Sequence, residues 1–181
     1  MLRLTIPDQE LWNPITEKFL DVKGCTIELE HSLASISKWE SKWHIPFHDS
    51  KEKSYEQNID YIRCMTLNDV SDENVYNYLT EDNVKAIADY IKDSSTATWF
   101  SDSKQKRPNR EVVTAEIVYY WMTVYNIPES YQFWHFNKLM TLLRVSAEKN
   151  NEGMSKNKHT NSAAQRHALI AARRKRYKTR G

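Results

Sequence analysis

Two short segments within the first thirty residues alternate between apolar and polar positions, with the two-residue period of a strand that buries one face. Residues 2–6 follow this pattern until Pro7 interrupts it, and residues 25–30 repeat it. A proline ends a strand because it has no backbone N–H to donate to a ladder. A third short strand over residues 18–22 would complete a small antiparallel element, and we therefore predict a β-meander at the N-terminus.

Beyond residue 31 the apolar positions recur every three or four residues, which is typical of amphipathic helices. Serine or threonine precedes several of these segments, in the position that caps a helix N-terminus. Helices are predicted after Ser32, over residues 55–65, from Ser71 to Leu79, after Thr80, over residues 111–125, and from Glu129 to about residue 150.

Two of these predicted helices differ in polarity. On the helix over residues 55–65, Glu56 and Asp60 are placed in solvated early turns. The segment over residues 111–125 is instead apolar almost all round, as expected of a helix surrounded by the core. We therefore expect this helix to lie at the buried centre of the fold.

The pattern predicts a fold of the α+β class that is mostly helical. A small N-terminal β-meander packs on a bundle of five or six helices. Asn, Ser and Lys make residues 150–160 a predicted linker, and an Ala-rich basic helix is expected over residues 163–177. We divide the chain into an N-terminal β element at 1–30, a helical domain at 31–150, and a basic linker and tail at 151–181.

The charge is unevenly distributed along the chain, although the formal net charge is only +2. Residues 154–181 carry nine Lys or Arg and no acid, so the remainder has 17 basic and 24 acidic residues, a balance of −7. This asymmetry predicts that the tail contacts something anionic: nucleic acid, an acidic protein, or the protein's own acidic part. The residues expected to bind an anionic partner are Arg173, Arg174, Lys175, Arg176, Lys178 and Arg180.

Several classes of enzyme and cofactor site lack their sequence signals. The three glycines, Gly24, Gly153 and Gly181, are too scattered for a dinucleotide-binding or phosphate-cradling loop. Two cysteines, Cys25 and Cys64, are too few for a four-thiolate zinc site, and we expect buried free thiols in a reduced cytosolic protein. We predict no enzymatic activity and no cofactor. The sequence has no apolar run that is long enough for a signal peptide or a membrane span, so we predict neither.

The histidines give no clear catalytic or metal-binding pattern. His44 and His48 have the spacing of helical metal ligands, but Pro46 between them breaks the helical geometry that makes this spacing useful. We therefore predict no metal site. His135 lies between two aromatic residues, and we expect a packed or hydrogen-bonded side chain rather than a general base.

Six tryptophans exceed what a core of this size needs. Tryptophan also anchors interfaces, because it buries a large area at a modest cost in side-chain entropy. We therefore expect part of the aromatic set to line a partner-binding groove. The residues predicted for this groove are Trp39, Trp43, Trp99, Phe100 and Trp134.

Several blocks together resemble a family of small proteins encoded in the tail-gene modules of long-tailed bacteriophages, the tail assembly chaperones. The blocks are residues 29–43 (LEHSLASISKWESKW), 60–67 (DYIRCMTL), 96–100 (TATWF), 113–122 (VTAEIVYYWM), 126–135 (NIPESYQFWH) and the basic tail. They occur in the family's order and span nearly the whole length of the chain, and the loop over residues 101–110 is a departure from the family pattern.

The resemblance implies a function in phage tail assembly. A tail assembly chaperone binds the long, helical tape measure protein before the tail tube polymerises around it, and is then displaced by tail tube protein. It acts in the host cell cytoplasm, needs no cofactor, and is absent from the mature virion. The aromatic groove would hold amphipathic helices of the partner. The basic tail would recruit an acidic segment of the tape measure protein or a tube subunit.

Two other functions remain open on the sequence. The first is a structural component of the virion, such as a tail-completion or connector protein. The second is a nucleic-acid-binding accessory protein that uses its basic tail. A homo-oligomer is compatible with each of these functions.

Overall fold

The computed structural model describes residues 1–13, 17–49, 51–70, 72–100 and 112–177. Three expectations fall outside these residues. They concern the loop over residues 101–110, the start of a helix at Ser71, and the anion-binding roles of Lys178 and Arg180.

Four short strands form the N-terminal β element. They are β1 (Leu2–Ile6), β2 (Gln9–Asn13), β3 (Lys18–Val22) and β4 (Cys25–Leu29). β1 pairs antiparallel with β4, and β2 pairs antiparallel with β3, so the strands form two separate two-stranded sheets. The predicted strands are present, together with β2, but their nested pairing differs from the consecutive order of a meander.

Asp8 and Gly24 explain the nested pairing of the strands. The backbone N–H of Gly24 donates a 2.6 Å hydrogen bond to the Asp8 carboxylate, which joins the β1–β2 connection to the β3–β4 connection. A Cβ atom at position 24 would lie 2.8 Å from the backbone nitrogen of Asp8 and would clash with the carbonyl oxygen of Ile6. Only glycine permits this close approach.

Helices form most of the remaining described chain, which confirms the α+β, mostly helical class. They are α1 (Leu33–Trp43), α2 (Tyr55–Met65), a first 3₁₀ helix (Glu73–Tyr78), α3 (Glu81–Lys92), α4 (Ala115–Val124), a second 3₁₀ helix (Glu129–Phe133) and α5 (Phe136–Tyr177). The predicted caps are confirmed for α1 and α3: the Ser32 hydroxyl accepts from the Ser35 N–H, and the Thr80 hydroxyl accepts from the Asn83 N–H.

α1 packs against both α2 and α4. Its inward side chains Leu33, Ile36 and Trp39 are almost fully buried, as are the inward side chains of β4. The free edge of β4 is covered by the end of α2, where the Glu30 N–H donates to the Met65 carbonyl at 2.9 Å. The sheet and the helices therefore share one core.

Asp60 is buried, which corrects its assignment to a solvated turn. Its carboxylate accepts hydrogen bonds from the Trp43 indole N–H at 2.9 Å and from the Lys42 ammonium group. These two donors on α1 compensate for burial of the charge on α2.

α5 runs without interruption through residues 150–160, so the prediction of a linker there is wrong. This helix contains no proline, and one internal glycine, Gly153, costs only about 1 kcal/mol relative to alanine. Asn, Ser and Lys lower helix propensity by less than that. The chain divides into two compact units, Met1–Thr141 and Leu142–Gly181.

Candidate interaction surfaces

A buried carboxyl group from α1 holds the start of α4. One oxygen of Glu40 accepts from the backbone N–H of Ala115, and the other accepts from the N–H of Phe47, both at 2.7 Å. Thr114 occupies the N-cap position of α4 but makes no side-chain capping bond. Glu40 therefore replaces the usual local cap with a contact from another helix.

α4 has two apolar faces, and only one is buried. Ala115, Val118 and Met122 point into the core. The opposite side, which we call the α4 outer face, consists of Ile117, Tyr120, Trp121 and Val124. Tyr120 and Val124 are 66% and 49% exposed, and the other two are half-buried. The expectation that this helix is the buried centre of the fold is therefore wrong.

Carboxylates border α4 near the second 3₁₀ helix. The Tyr119 hydroxyl donates to the side-chain oxygen of Gln132 at 2.8 Å, which ties these two elements together. Burial raises the pKa of Tyr119, and the negative charges of Glu129 and Glu116 raise it further. Both glutamates are exposed, so they place negative charge close to this helix.

Trp39 and Trp43 occupy different environments on α1, although their rings are neighbours. Trp39 is fully buried and donates its indole N–H to the Gln57 carbonyl at 2.9 Å. Its assignment to a partner-binding groove is corrected, because no partner can reach a sealed core residue. Trp43 is half-buried and lines a shallow groove with Tyr55 and Ile59.

Trp134 is half-buried and held between two other side chains. Its ring stacks on Tyr131 with a centroid separation of 3.9 Å, and the Lys138 ammonium group lies 4.4 Å from its centroid. Such packing fixes the indole and leaves only part of it open to a partner. The neighbouring Phe133 is 61% exposed.

Trp99 is the most exposed indole in the described residues, at 84%. It follows α3 in a segment without helix or strand, next to the half-buried Phe100. The five aromatic residues predicted for one groove are thus spread over α1, this segment and the end of the second 3₁₀ helix.

Two exposed aromatic surfaces were missed by sequence reasoning. One is the α4 outer face. Its signal in the sequence is the excess of apolar residues over residues 111–125, which also fits a completely buried helix. The other is a cross-strand pair on the β2–β3 hairpin, where Trp12 and Phe19 lie directly opposite with ring centroids 5.1 Å apart. These two side chains are 54% and 66% exposed.

His31 and His135 form a buried pair, with ring centroids 5.3 Å apart. Nδ1 of His31 hydrogen-bonds the Tyr61 hydroxyl, and Nε2 of His135 bonds the Tyr90 carbonyl at 3.0 Å. Burial, then the nearby His135 and His48, lower the pKa of His31 to about 3. His31 is therefore neutral at physiological pH, and the packed role expected for His135 is confirmed.

The remaining groups of chemical interest are dispersed. Burial raises the pKa of both free thiols, Cys25 and Cys64, and both are half-buried. A raised pKa keeps a thiol protonated and unreactive at neutral pH. His44 ends α1 in the left-handed conformation, with φ 54°. Among the described residues, no three His, Cys, Asp or Glu side chains are grouped to hold a metal ion.

The C-terminal part of α5 is a basic surface. Every residue from 166 to 177 is exposed, including the expected anion-binding residues Arg173, Arg174, Lys175 and Arg176. Leu169 and Tyr177 lie beside them and are 69% and 62% exposed. The structure thus offers an apolar surface on α4 and a basic surface on α5.

The comparisons with known proteins identify no relative of this chain. No protein-family model matches the chain, and neither a curated protein nor a solved structure matches it. Within the part of the chain that the structure describes, no helix is both long enough and apolar enough to span a membrane.

Proposed function

We propose that the α4 outer face binds an amphipathic helix of another protein and shields its apolar side. The partner is the tape measure protein, as the resemblance to tail assembly chaperones implies. The protein thus acts as a tail assembly chaperone in the host cell cytoplasm, before the tail tube polymerises.

The spacing of the α4 outer face is the observation that carries this proposal. Ile117, Tyr120, Trp121 and Val124 are separated by three, one and three residues, which is the seam that one helix offers to another. The first and last of these residues are seven positions apart on α4, so this seam extends over roughly 10 Å. A partner helix would pack about 8–10 Å away, axis to axis.

A seam of this size favours weak, reversible binding. Fully burying a large apolar side chain contributes about 1.5–3 kcal/mol to the free energy of binding. The four residues of the α4 outer face are partly buried before binding, so together they contribute less than four times that amount. Association itself costs at least about 4 kcal/mol. A chaperone that tail tube protein must displace needs a modest affinity of this kind, and separate copies can bind separate segments of one long partner.

The acidic border selects among apolar helices. Glu116 belongs to α4 and lies about 40° around the helix from Tyr120, Glu129 lies near Tyr119, and both glutamates are exposed. Partner helices with Lys or Arg beside their apolar stripe therefore fit better than helices with acidic flanks. The chaperone would thus favour a subset of helical segments without reading one specific sequence.

The proposal includes no catalytic step and no cofactor. The raised pKa of the half-buried Cys25 and Cys64 keeps both thiols protonated at physiological pH, so neither is an activated nucleophile. The exposed apolar residues of the α4 outer face provide the interaction.

Co-expression tests the chaperone function. The tape measure protein encoded in the same tail-gene module is expressed alone and together with this protein, and its soluble fraction is measured after centrifugation. We expect the soluble fraction to rise on co-expression and the two proteins to co-purify. An unchanged soluble fraction with no co-purification would contradict the proposal.

Mass spectrometry of purified virions separates a chaperone from a structural component. A chaperone is released before the tail is complete, so its peptides should be absent from finished particles. A stoichiometric amount in the particle would instead establish a tail-completion or connector protein.

A further inference from the structure

We propose that the C-terminal part of α5 binds duplex DNA in its major groove, without reading sequence. This inference is independent of the chaperone function, because it rests on the second compact unit alone. The residues concerned are four consecutive cations, Arg173, Arg174, Lys175 and Arg176, which we call the basic ring.

The basic ring has no counter-charge in its own segment. The sequence from residue 154 to residue 181 contains no Asp or Glu. All four side chains are exposed, and the structure records no ion pair for them among the described side chains. The positive charge is therefore available to a partner.

The geometry of the ring identifies the kind of partner. Consecutive residues of an α-helix are turned by about 100°, so four of them spread over about 300° of the circumference within about 5 Å of axis. A flat acidic protein surface would contact only one side of such a helix. The major groove of B-form DNA is about 12 Å wide, accepts an α-helix, and has phosphates on both walls.

The neighbouring apolar residues argue against a membrane surface. A helix that lies on a bilayer separates an apolar face from a basic face. Here Arg173 lies between Leu169 and Ile170 around the helix, about 40° from the first and about 60° from the second. Charge and apolar area are therefore interleaved, and no face can enter lipid without carrying an arginine with it.

Duplex RNA fits less well, and the side chains that read adenine are missing from this part of α5. The major groove of A-form RNA is deep and too narrow for a helix to enter. Residues 166–177 include neither Asn nor Gln, the side chains that read adenine by paired hydrogen bonds. Contacts to phosphates carry affinity and little sequence information.

Fluorescence anisotropy of the full chain with a labelled mixed-sequence DNA duplex tests the inference. If the ring neutralises four phosphates, raising the salt from 50 to 200 mM should weaken binding roughly 150-fold. The variant R173Q/R174Q/K175Q/R176Q should lose most of this affinity and flatten the salt dependence, because glutamine keeps a similar helix propensity without the charge.

A matched variant controls for net charge. K23Q/K51Q/K85Q/K92Q removes an equal number of positive charges, four, from exposed positions elsewhere in the chain. It should change DNA affinity by less than about threefold. Circular dichroism checks that both variants keep their helix content. Undetectable DNA binding at 50 mM salt, or an equal loss in both variants, would overturn the inference.

The same assay excludes other anions. Duplex RNA of the same sequence should bind at least tenfold more weakly than DNA. Poly-glutamate at equal charge should compete poorly for the protein. Equal binding of RNA, or displacement of DNA by poly-glutamate at equal charge, would show that the basic ring binds anions without preferring duplex DNA. Either result would overturn the proposal.

Discussion

Glu40 shows how one side chain positions the candidate interaction helix. Its two carboxyl oxygens accept from the N–H groups of Ala115 and Phe47, so it joins α1 to α4 and to the loop that follows α1. Burial removes water as an alternative partner for these groups. The start of α4 therefore depends on a residue 75 positions earlier in the chain.

Replacing Glu40 with glutamine should destabilise the protein by about 2–3 kcal/mol. The amide keeps one acceptor oxygen, but its NH₂ group then faces an N–H donor and leaves it unpaired. Urea unfolding followed by circular dichroism measures the change. The exposed Glu52→Gln provides the matched control and should stay within about 0.5 kcal/mol of wild type. Equal stability of the two variants would contradict the capping role of Glu40.

His31 should make stability depend on pH. Its pKa is lowered from 6.5 to about 3 in the folded chain, so between these values the unfolded chain binds a proton that the folded chain does not. Stability is therefore complete above about pH 6.5 and is lost as the pH falls. The loss at pH 5 should be about 2 kcal/mol.

Urea unfolding at about pH 7.5 and pH 5 measures this loss. His31→Gln should remove about 2 kcal/mol of the difference between the two pH values, because glutamine does not titrate. The same substitution at the exposed His167 should leave the difference unchanged. A pH dependence that survives in His31→Gln would show that another group causes it.

At the scale of elements, local signals predicted the helices well. The start of α1 follows from its apolar period and from the predicted cap Ser32, and the bounds of α2 follow from its apolar period, because these interactions lie within one or two turns. The nested pairing of β1 with β4 could not be predicted in this way. It depends on the approach of Asp8 to Gly24, and no periodicity encodes a contact between two turns.

α4 shows why an apolar helix is not always a buried helix. Its sequence is apolar on nearly every side, and the prediction of a central position assumed that apolar residues must be covered within the chain. The described residues cover only one side. Sequence reasoning therefore found an unusual helix but could not separate its core face from its outer face.

Substitutions on the two faces of α4 should differ in their effect on stability. Met122→Ala removes a core side chain and should cost about 2–5 kcal/mol. Val124→Ala removes a side chain that is 49% exposed and should change stability by less than about 0.5 kcal/mol. Thermal or urea unfolding gives both values. A large loss in Val124→Ala would mean that the outer face is covered within the protein.

The continuity of α5 can be tested at Gly153. Gly153→Ala should keep the wild-type helix signal at 222 nm, because residue 153 is already helical and alanine only stabilises that state, by about 1 kcal/mol relative to glycine. Gly153→Pro should decrease it, because proline removes a backbone hydrogen bond and clashes with the preceding turn. If both variants have the wild-type signal, residues 150–160 are a linker in solution.

At the scale of the whole molecule, the two proposed interactions should be separable. Binding at the apolar α4 outer face should change less than about threefold between 50 and 200 mM salt, whereas DNA binding should fall steeply. The variant Y120Q/V124Q should keep DNA affinity, and the variant of the basic ring should keep tape measure binding. Loss of both activities in either variant would contradict two independent surfaces.

Co-purification of the tape measure protein with two matched double variants tests directly whether the α4 outer face binds it. Y120Q/V124Q changes the α4 outer face, at side chains that are 66% and 49% exposed. Y55Q/V84Q changes the same residue types at side chains that are 67% and 50% exposed, where Tyr55 lines the Trp43 groove and Val84 lies on α3.

The recovered ratio of tape measure protein to this protein is measured for each variant and for wild type. We expect Y120Q/V124Q to lower that ratio at least tenfold, and Y55Q/V84Q to keep it within about twofold of wild type. A wild-type ratio in Y120Q/V124Q, or an equal loss in both variants, would contradict binding at the α4 outer face.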